Sequence, residues 1–151
     1  MSQELSHLDD AGRVRMVDVG SKPLLRRRAT AEATVRMAAE TTTRLRALPK
    51  GDALACAEVA GIMAAKRTSE LIPLCHPLPL THASVTATVG DGTVEINAVV
   101  ETTAQTGVEM EALTAAAIAA LTVYDMAKGI DSGIVVERVR LVEKTKEEPS
   151  G

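Results

Sequence analysis

Residues 83–103 read ASVTATV-GDG-TVEINAVVETT, and this stretch decides the class of fold. Ala83 to Val89 and Thr93 to Thr103 are rich in Val, Ile and Thr, the composition of strands. Gly90-Asp91-Gly92 between them supplies the small, conformationally free residues of a tight hairpin turn. The hairpin is necessarily antiparallel. Outward from it, Arg28 to Met37 (RATAEATVRM) and Ile134 to Glu143 alternate as two further strands. Helical readings separate them: Ala38 to Ala47, ended near Pro49-Lys50-Gly51-Asp52; about Ala53 to Lys66, with Asp52 as N-cap; and the long apolar run Val108 to Lys128. Gly61 interrupts the second helix at a cost of about 1 kcal/mol relative to Ala, which close packing would offset. Mixed helices and strands with an antiparallel hairpin give an α+β class.

Three prolines in seven residues, Pro73, Pro77 and Pro79, exclude helix from Leu71 to Leu80. Each pushes its predecessor toward extended backbone, so this is a stiff apolar segment carrying His76. Ser21 to Leu25 reads as loop. With 151 residues and no repeat or linker, the chain is expected to form one catalytic domain over 16–145, between a flexible leader (1–15) and a flexible tail (146–151).

Composition removes several functions. The polar, acidic start is not a secretory signal, and no run is long enough to span a bilayer, so a cytoplasmic protein without membrane partners is expected. Two cysteines make no disulfide framework, and three scattered histidines make no zinc signature, so no metal site is expected. There is no Trp or Phe and one Tyr, and net charge is −3; both argue against nucleic-acid binding. Charge is nonetheless uneven. From Lys22 to Lys50, eight cations face only Glu32 and Glu40, which suits either a small anionic ligand or a solvated surface.

Some polar residues invite a chemical reading. Glu109 and Glu111 open the long helix, where the dipole favours acids, and Lys128 closes it, where the dipole favours cations. Asp125 is at the wrong end for that explanation. Glu111 and Asp125 are fourteen residues apart, which is about 21 Å along the axis and on roughly the same side. If both act, they serve opposite ends of a long ligand or different copies of a site at a subunit interface. Lys50-Gly51 precedes a helix start, a place that attracts phosphate, but it is not a Walker loop. Lys, His and carboxylate together suit acid–base chemistry on a phosphorylated substrate.

Four strings make the reading specific: Met16-Val17-Asp18-Val19-Gly20, Lys50-Gly51-Asp52, Ala60 to Pro77 (AGIMAAKRTSELIPLCHP) and Thr106 to Lys128 (TGVEMEALTAAAIAALTVYDMAK). They resemble the cyclic pyranopterin monophosphate synthase family, the molybdenum cofactor biosynthesis protein C. The resemblance runs from about Met16 to Lys144. It implies a ferredoxin-like antiparallel sheet packed against helices, in a homo-oligomer that is a hexamer built as a trimer of dimers, with sites at subunit interfaces. The implied substrate is (8S)-3′,8-cyclo-7,8-dihydroguanosine 5′-triphosphate, and the products are cyclic pyranopterin monophosphate and pyrophosphate. No cofactor is implied, and Mg²⁺ accompanying the triphosphate is left open. Carried residue by residue, the resemblance makes Asp125 the acid/base and Lys50 and Lys128 its catalytic companions. It makes Leu74, Cys75 and His76 one substrate-binding strip, and Met110 and Glu111 another. Glu109 and Lys144 join them, with Lys22 and Arg27 in a mobile basic segment that closes over the phosphates.

This chain departs from the family pattern twice. The family often ends Lys-Ser-Gly-Gly-Lys-Ser-Gly, whereas here Lys144-Thr145-Lys146-Glu147-Glu148-Pro149-Ser150-Gly151 keeps Lys144 and loses the glycine pair. Leu25 stands where the family often has Thr. Two other readings remain at this point: a nucleotide-metabolite sensor without turnover, and a structural oligomer whose polar residues only cap and pair.

Overall fold

In the computed structural model, which describes residues 7–149, four strands form one sheet in the order β2-β3-β1-β4. The strands are β1 (Leu25–Arg36), β2 (Leu80–Val89), β3 (Thr93–Ala104) and β4 (Val135–Glu147). The main helices are α2 (Ala53–Lys66) and α4 (Glu109–Ala127), with short α1 (Ala39–Thr42) and α3 (Thr68–Leu71). Each adjacent strand pair is antiparallel. Two β-helix-β crossovers share the sheet, each leaving room for one strand between its ends. This is the expected ferredoxin-like α+β arrangement. The chain termini of the leader and tail, residues 1–6 and 150–151, lie outside the described residues.

One face of the sheet carries the helices, and small side chains line it. Ala29, Ala31, Ala33 and Val35 of β1 alternate inward beside Val94, Ile96, Ala98 and Val100 of β3, all 1 % exposed or less. From α4, Ala112, Ala115, Ala116, Ala119, Ala120 and Val123 meet them, each fully buried. This is how a chain without Phe or Trp fills a core: alanine lets backbones approach where bulk is missing. Gly61 carries the logic furthest. A Cβ there would stand 2.9 Å from Val85 Cγ2 and 3.0 Å from the Ala115 carbonyl, so only glycine lets α2 sit this close to α4 and β2. The opposite sheet face is polar, with ion pairs from Arg28 to Glu101 and from both Arg138 and Arg140 to Glu32.

By length and mean hydropathy (1.3) α4 passes for a membrane span, contrary to the sequence expectation. Half of that window is buried inside the molecule, against the sheet and α2, which is the position of a core helix. Tyr124, the one aromatic residue, is part-exposed near its C-terminal end.

Four expectations about elements change. Strand β1 runs from Leu25 to Arg36 rather than from Arg28 to Met37, so Leu25, expected in a loop, and Arg27, expected in a mobile segment, are paired strand residues. The helix expected over Ala38–Ala47 is a single turn, Ala39–Thr42, followed by turns. Thr42 and Thr43 hydroxyls donate to the carbonyls of Ala39 and Glu40, a local satisfaction that stops propagation. Helix α3 was not anticipated; Thr68 Oγ1 bonds back to the Ala64 and Ala65 carbonyls and starts a new turn after α2. Finally, β4 continues past Glu143 to Glu147, because Thr145, Lys146 and Glu147 find partners in Arg28, Arg27 and Arg26 of β1. Residues 146 and 147, expected in the tail, are therefore strand.

Candidate active site

The twelve sequence-selected residues fall into two groups at opposite ends of α4. Lys50, Asp125 and Lys128 form the first. Asp52 caps α2 by accepting from the Leu54 and Ala55 amides, and the turn before it is closed by Leu48 and Gly51, which pair in both directions. Gly51 has φ +116, which L residues avoid, so it fixes the tip on which Lys50 stands. From there Lys50 Nζ lies 3.1 Å from Asp125 Oδ2, and Lys128 Nζ lies 2.9 Å from Asp125 Oδ1. Each oxygen thus faces its own ammonium. Lys128, then Lys50, hold the Asp125 carboxyl below the usual carboxylate range, and Asp125 in turn raises Lys128. The two cations also offset the unfavourable placement of an acid at a helix C-terminus. All three side chains are about half exposed and so open to a ligand.

The nine substrate-binding candidates gather at the N-terminal end of α4. Lys22, Leu74, Cys75, His76, Glu109 and Met110 line one cavity of about 300 Å³. Arg27, Glu109 and Lys144 line a neighbouring one of about 180 Å³, and the two share Gly107 and Glu109. Gly107 makes room for that carboxylate, since a Cβ there would collide with it. Burial works to raise the Glu109 pKa, but its own amide, the 3.0 Å ion pair to Lys144 and the charge of Arg27 outweigh this and lower it. Arg27 is oriented by donating to the carbonyls of Ala104 and Gln105.

Glu111 lies under the cavity at 3 % exposure, with Oε1 3.5 Å from Cys75 Sγ. Among the described residues its Oε2 has no hydrogen-bond partner, a costly state for a buried carboxyl. Burial is the main cause that raises its pKa. Burial, with the Glu111 charge next, pushes the Cys75 thiol up to about 11, so it remains protonated and acts as a weak donor rather than a nucleophile. His76 Nε2 lies 2.6 Å from the Val17 carbonyl. A carbonyl only accepts, so Nε2 carries the proton, and in the neutral ring Nδ1 is the acceptor.

The cavities at this end do not include Lys50, Asp125 or Lys128 among their lining residues. Among the described residues, no three His, Cys, Asp or Glu side chains gather as a metal site. Four contributors had no assigned role from sequence: Val17, Gly107, Arg28 and Lys146. Val17 and Gly107 do lie inside two of the quoted strings. Arg28 and Lys146 carried only the signal of local positive charge.

Comparison with known proteins bears directly on this arrangement. Residues 16–147 match the model of the MoaC family. The chain is 57 % identical over 146 residues to the cyclic pyranopterin monophosphate synthase of Roseiflexus sp. (strain RS-1), covering 94 % of this chain and 92 % of that one. It is 55 % identical over 145 residues to the protein of that name from Desulfitobacterium hafniense (strain DSM 10664 / DCB-2), covering 94 % and 89 %. It is 57 % identical over 145 residues to the one from Thermomicrobium roseum (strain ATCC 27502 / DSM 5159 / P-2), covering 93 % and 87 %.

Proposed function

From the premise that this chain belongs to the MoaC family, we propose that it is the enzyme of molybdenum cofactor biosynthesis that converts (8S)-3′,8-cyclo-7,8-dihydroguanosine 5′-triphosphate to cyclic pyranopterin monophosphate and pyrophosphate. The observation that carries the chemistry is the Lys50–Asp125–Lys128 cluster, a carboxylate held ionised between two ammonium groups. The carboxylate is a base at neutral pH, and either ammonium returns a proton. The same cations stabilise negative charge as pyrophosphate leaves. The overall change releases pyrophosphate without net oxidation or reduction, so it requires no external oxidant or reductant.

The nine residues at the other end of α4 bind the substrate: apolar Leu74 and Met110 contact the ring system, Glu109 and Glu111 accept from its nitrogens, and the cations meet the phosphates. Because about 21 Å of helix separates Glu111 from Asp125, one subunit does not supply both halves of a small site. A complete site joins the Asp125 end of one subunit to the Glu111 end of another, which is the architecture of a hexamer arranged as a trimer of dimers. Free Cys56 and Cys75 suit the reducing cytoplasm.

The test is pyrophosphate release from enzymically prepared cyclo-dihydro-GTP, with GTP as control. Release from the first alone supports the synthase reading. Binding without release replaces it with the sensor reading.

A further inference from the structure

The cavity beside Glu109 is strongly cationic on a chain of net charge −3. Of its charged lining residues, Arg27, Arg28, Lys144 and Lys146 are cations and only Glu109 is an acid. Their local pairing differs. Lys144 is taken up by Glu109 at 3.0 Å, and Arg28 reaches Glu101 at 3.5 Å. Arg27 donates to two neutral carbonyls, and its charge acts on Glu109 only at a distance, without an ion pair among the described residues. Among the described residues, Lys146 has neither a side-chain hydrogen bond nor an ion pair.

The strand register says where Lys146 stands. Arg27 pairs with Lys146, and Ala29 pairs with Lys144. Opposed residues of an antiparallel pair share a face, and alternate residues along a strand share it too. Ala29 is 1 % exposed beneath the helices, so Arg27, Lys144 and Lys146 lie on the helix side of the sheet. There the sheet runs past the first turn of α4, whose nineteen aligned peptide units add positive potential. The backbone on both sides of Lys146 is already fixed. Thr145 pairs with Arg28, and the Glu147 carboxylate meets the Arg26 guanidinium at 2.8 Å.

We propose that Lys146 is a phosphate-binding residue of this chain, a cation held in place by strand pairing. The assignment rests on the triphosphate reading above and adds a residue to it. Lys144 is neutralised by its acidic partner, so Lys146 and Arg27 provide the excess charge that an oxyanion requires. Only the Lys146 side chain is left to order on binding, which limits the entropic cost.

Calorimetric titration of the full chain with inorganic tripolyphosphate tests this, alongside steady-state kinetics. Lys146→Ala is expected to bind tripolyphosphate about tenfold more weakly, the equivalent of one charge-assisted contact. Lys146→Arg is expected to stay near wild type, and Lys146→Glu to lose more than Ala. KM for the substrate should rise in parallel while kcat stays within about twofold. Equal tripolyphosphate affinity in Lys146→Ala and wild type overturns the assignment, and so does a wild type that does not bind tripolyphosphate. Tight, Lys146-dependent binding without pyrophosphate release keeps the assignment and removes the synthase reading instead.

Discussion

Lys50 and Asp125 are 75 residues apart in the chain and 3.1 Å apart in space. The contact joins the tip of the turn before α2 to the last turn of α4. With Lys128 on the other carboxylate oxygen, it converts three unremarkable surface charges into a unit with a defined ionisation state.

Removing one member should stop the chemistry and spare the fold. Asp125→Asn and Lys50→Ala are each expected to lower kcat at least about 100-fold, the usual weight of a proton-transfer group. The pairs are half exposed, and exposed ion pairs contribute little to stability, so thermal midpoints should barely move. Pyrophosphate-release assays beside melting curves separate the two effects. Full activity in either variant takes that residue out of the mechanism.

The ionisation state can be read directly. The Asp125 carboxyl is held below 3.8 by Lys128 first and Lys50 second. A depressed acid contributes stability above its unfolded pKa and loses it as pH falls through the lower folded value. Lys128, raised above 10.5 by Asp125, contributes below 10.5 and loses that contribution as pH rises through its higher folded value. The unit is thus intact between about pH 4 and pH 10. Carbon-13 NMR titration of the Asp125 carboxyl should give a midpoint below 3.8 that moves up in Lys128→Ala. A wild-type midpoint at or above 3.8 contradicts the ion-pair geometry.

Glu111 should show the opposite sign. Burial raises its pKa above 4.5, so its favourable contribution is present below 4.5 and lost as pH rises through the folded value. Glu111→Gln removes the buried charge, and is expected to be more stable than wild type at pH 8, with little gain at pH 4. Substrate affinity should fall at the same time, the mark of a residue kept for binding rather than for stability. Denaturant titrations at both pH values, paired with calorimetry, check it; loss of stability at pH 8 is the contrary result.

Gly61→Ala tests the helix packing. Helix propensity alone predicts a gain of about 1 kcal/mol. The new Cβ would press on Val85 and on the Ala115 carbonyl, and overpacking of this kind costs about 1–3 kcal/mol. Net destabilisation in urea is therefore expected. A stabilised variant would mean that α2 stands further from α4 than described.

The legible parts of the fold are those with local punctuation. Asp52 before an Ala-rich run and Lys66 at its end bounded α2, and Gly90-Asp91-Gly92 bounded the hairpin. Where a boundary depends on a distant partner, the reading fell short. The alternating charges from Glu143 to Glu147 have no apolar side, and only pairing with Arg26, Arg27 and Arg28 makes them strand. The site divides the same way. The quoted strings hold nine of the twelve candidates, Lys22 and Arg27 fall in the basic run, and Lys144 came only from the wider resemblance; none of these pointed to the His76–Val17 contact across 59 residues or to the partners of Asp125. Such contacts are properties of the folded chain, invisible to periodicity and spacing.

Tyr124 adjoins Asp125, is 39 % exposed, and is the only aromatic side chain in the sequence. The protein therefore carries one built-in fluorophore per chain, placed next to the carboxylate proposed as acid and base. A ligand settling against that end of α4 would change a signal with no background from tryptophan. Binding is then followed in real time on unlabelled, unmutated protein.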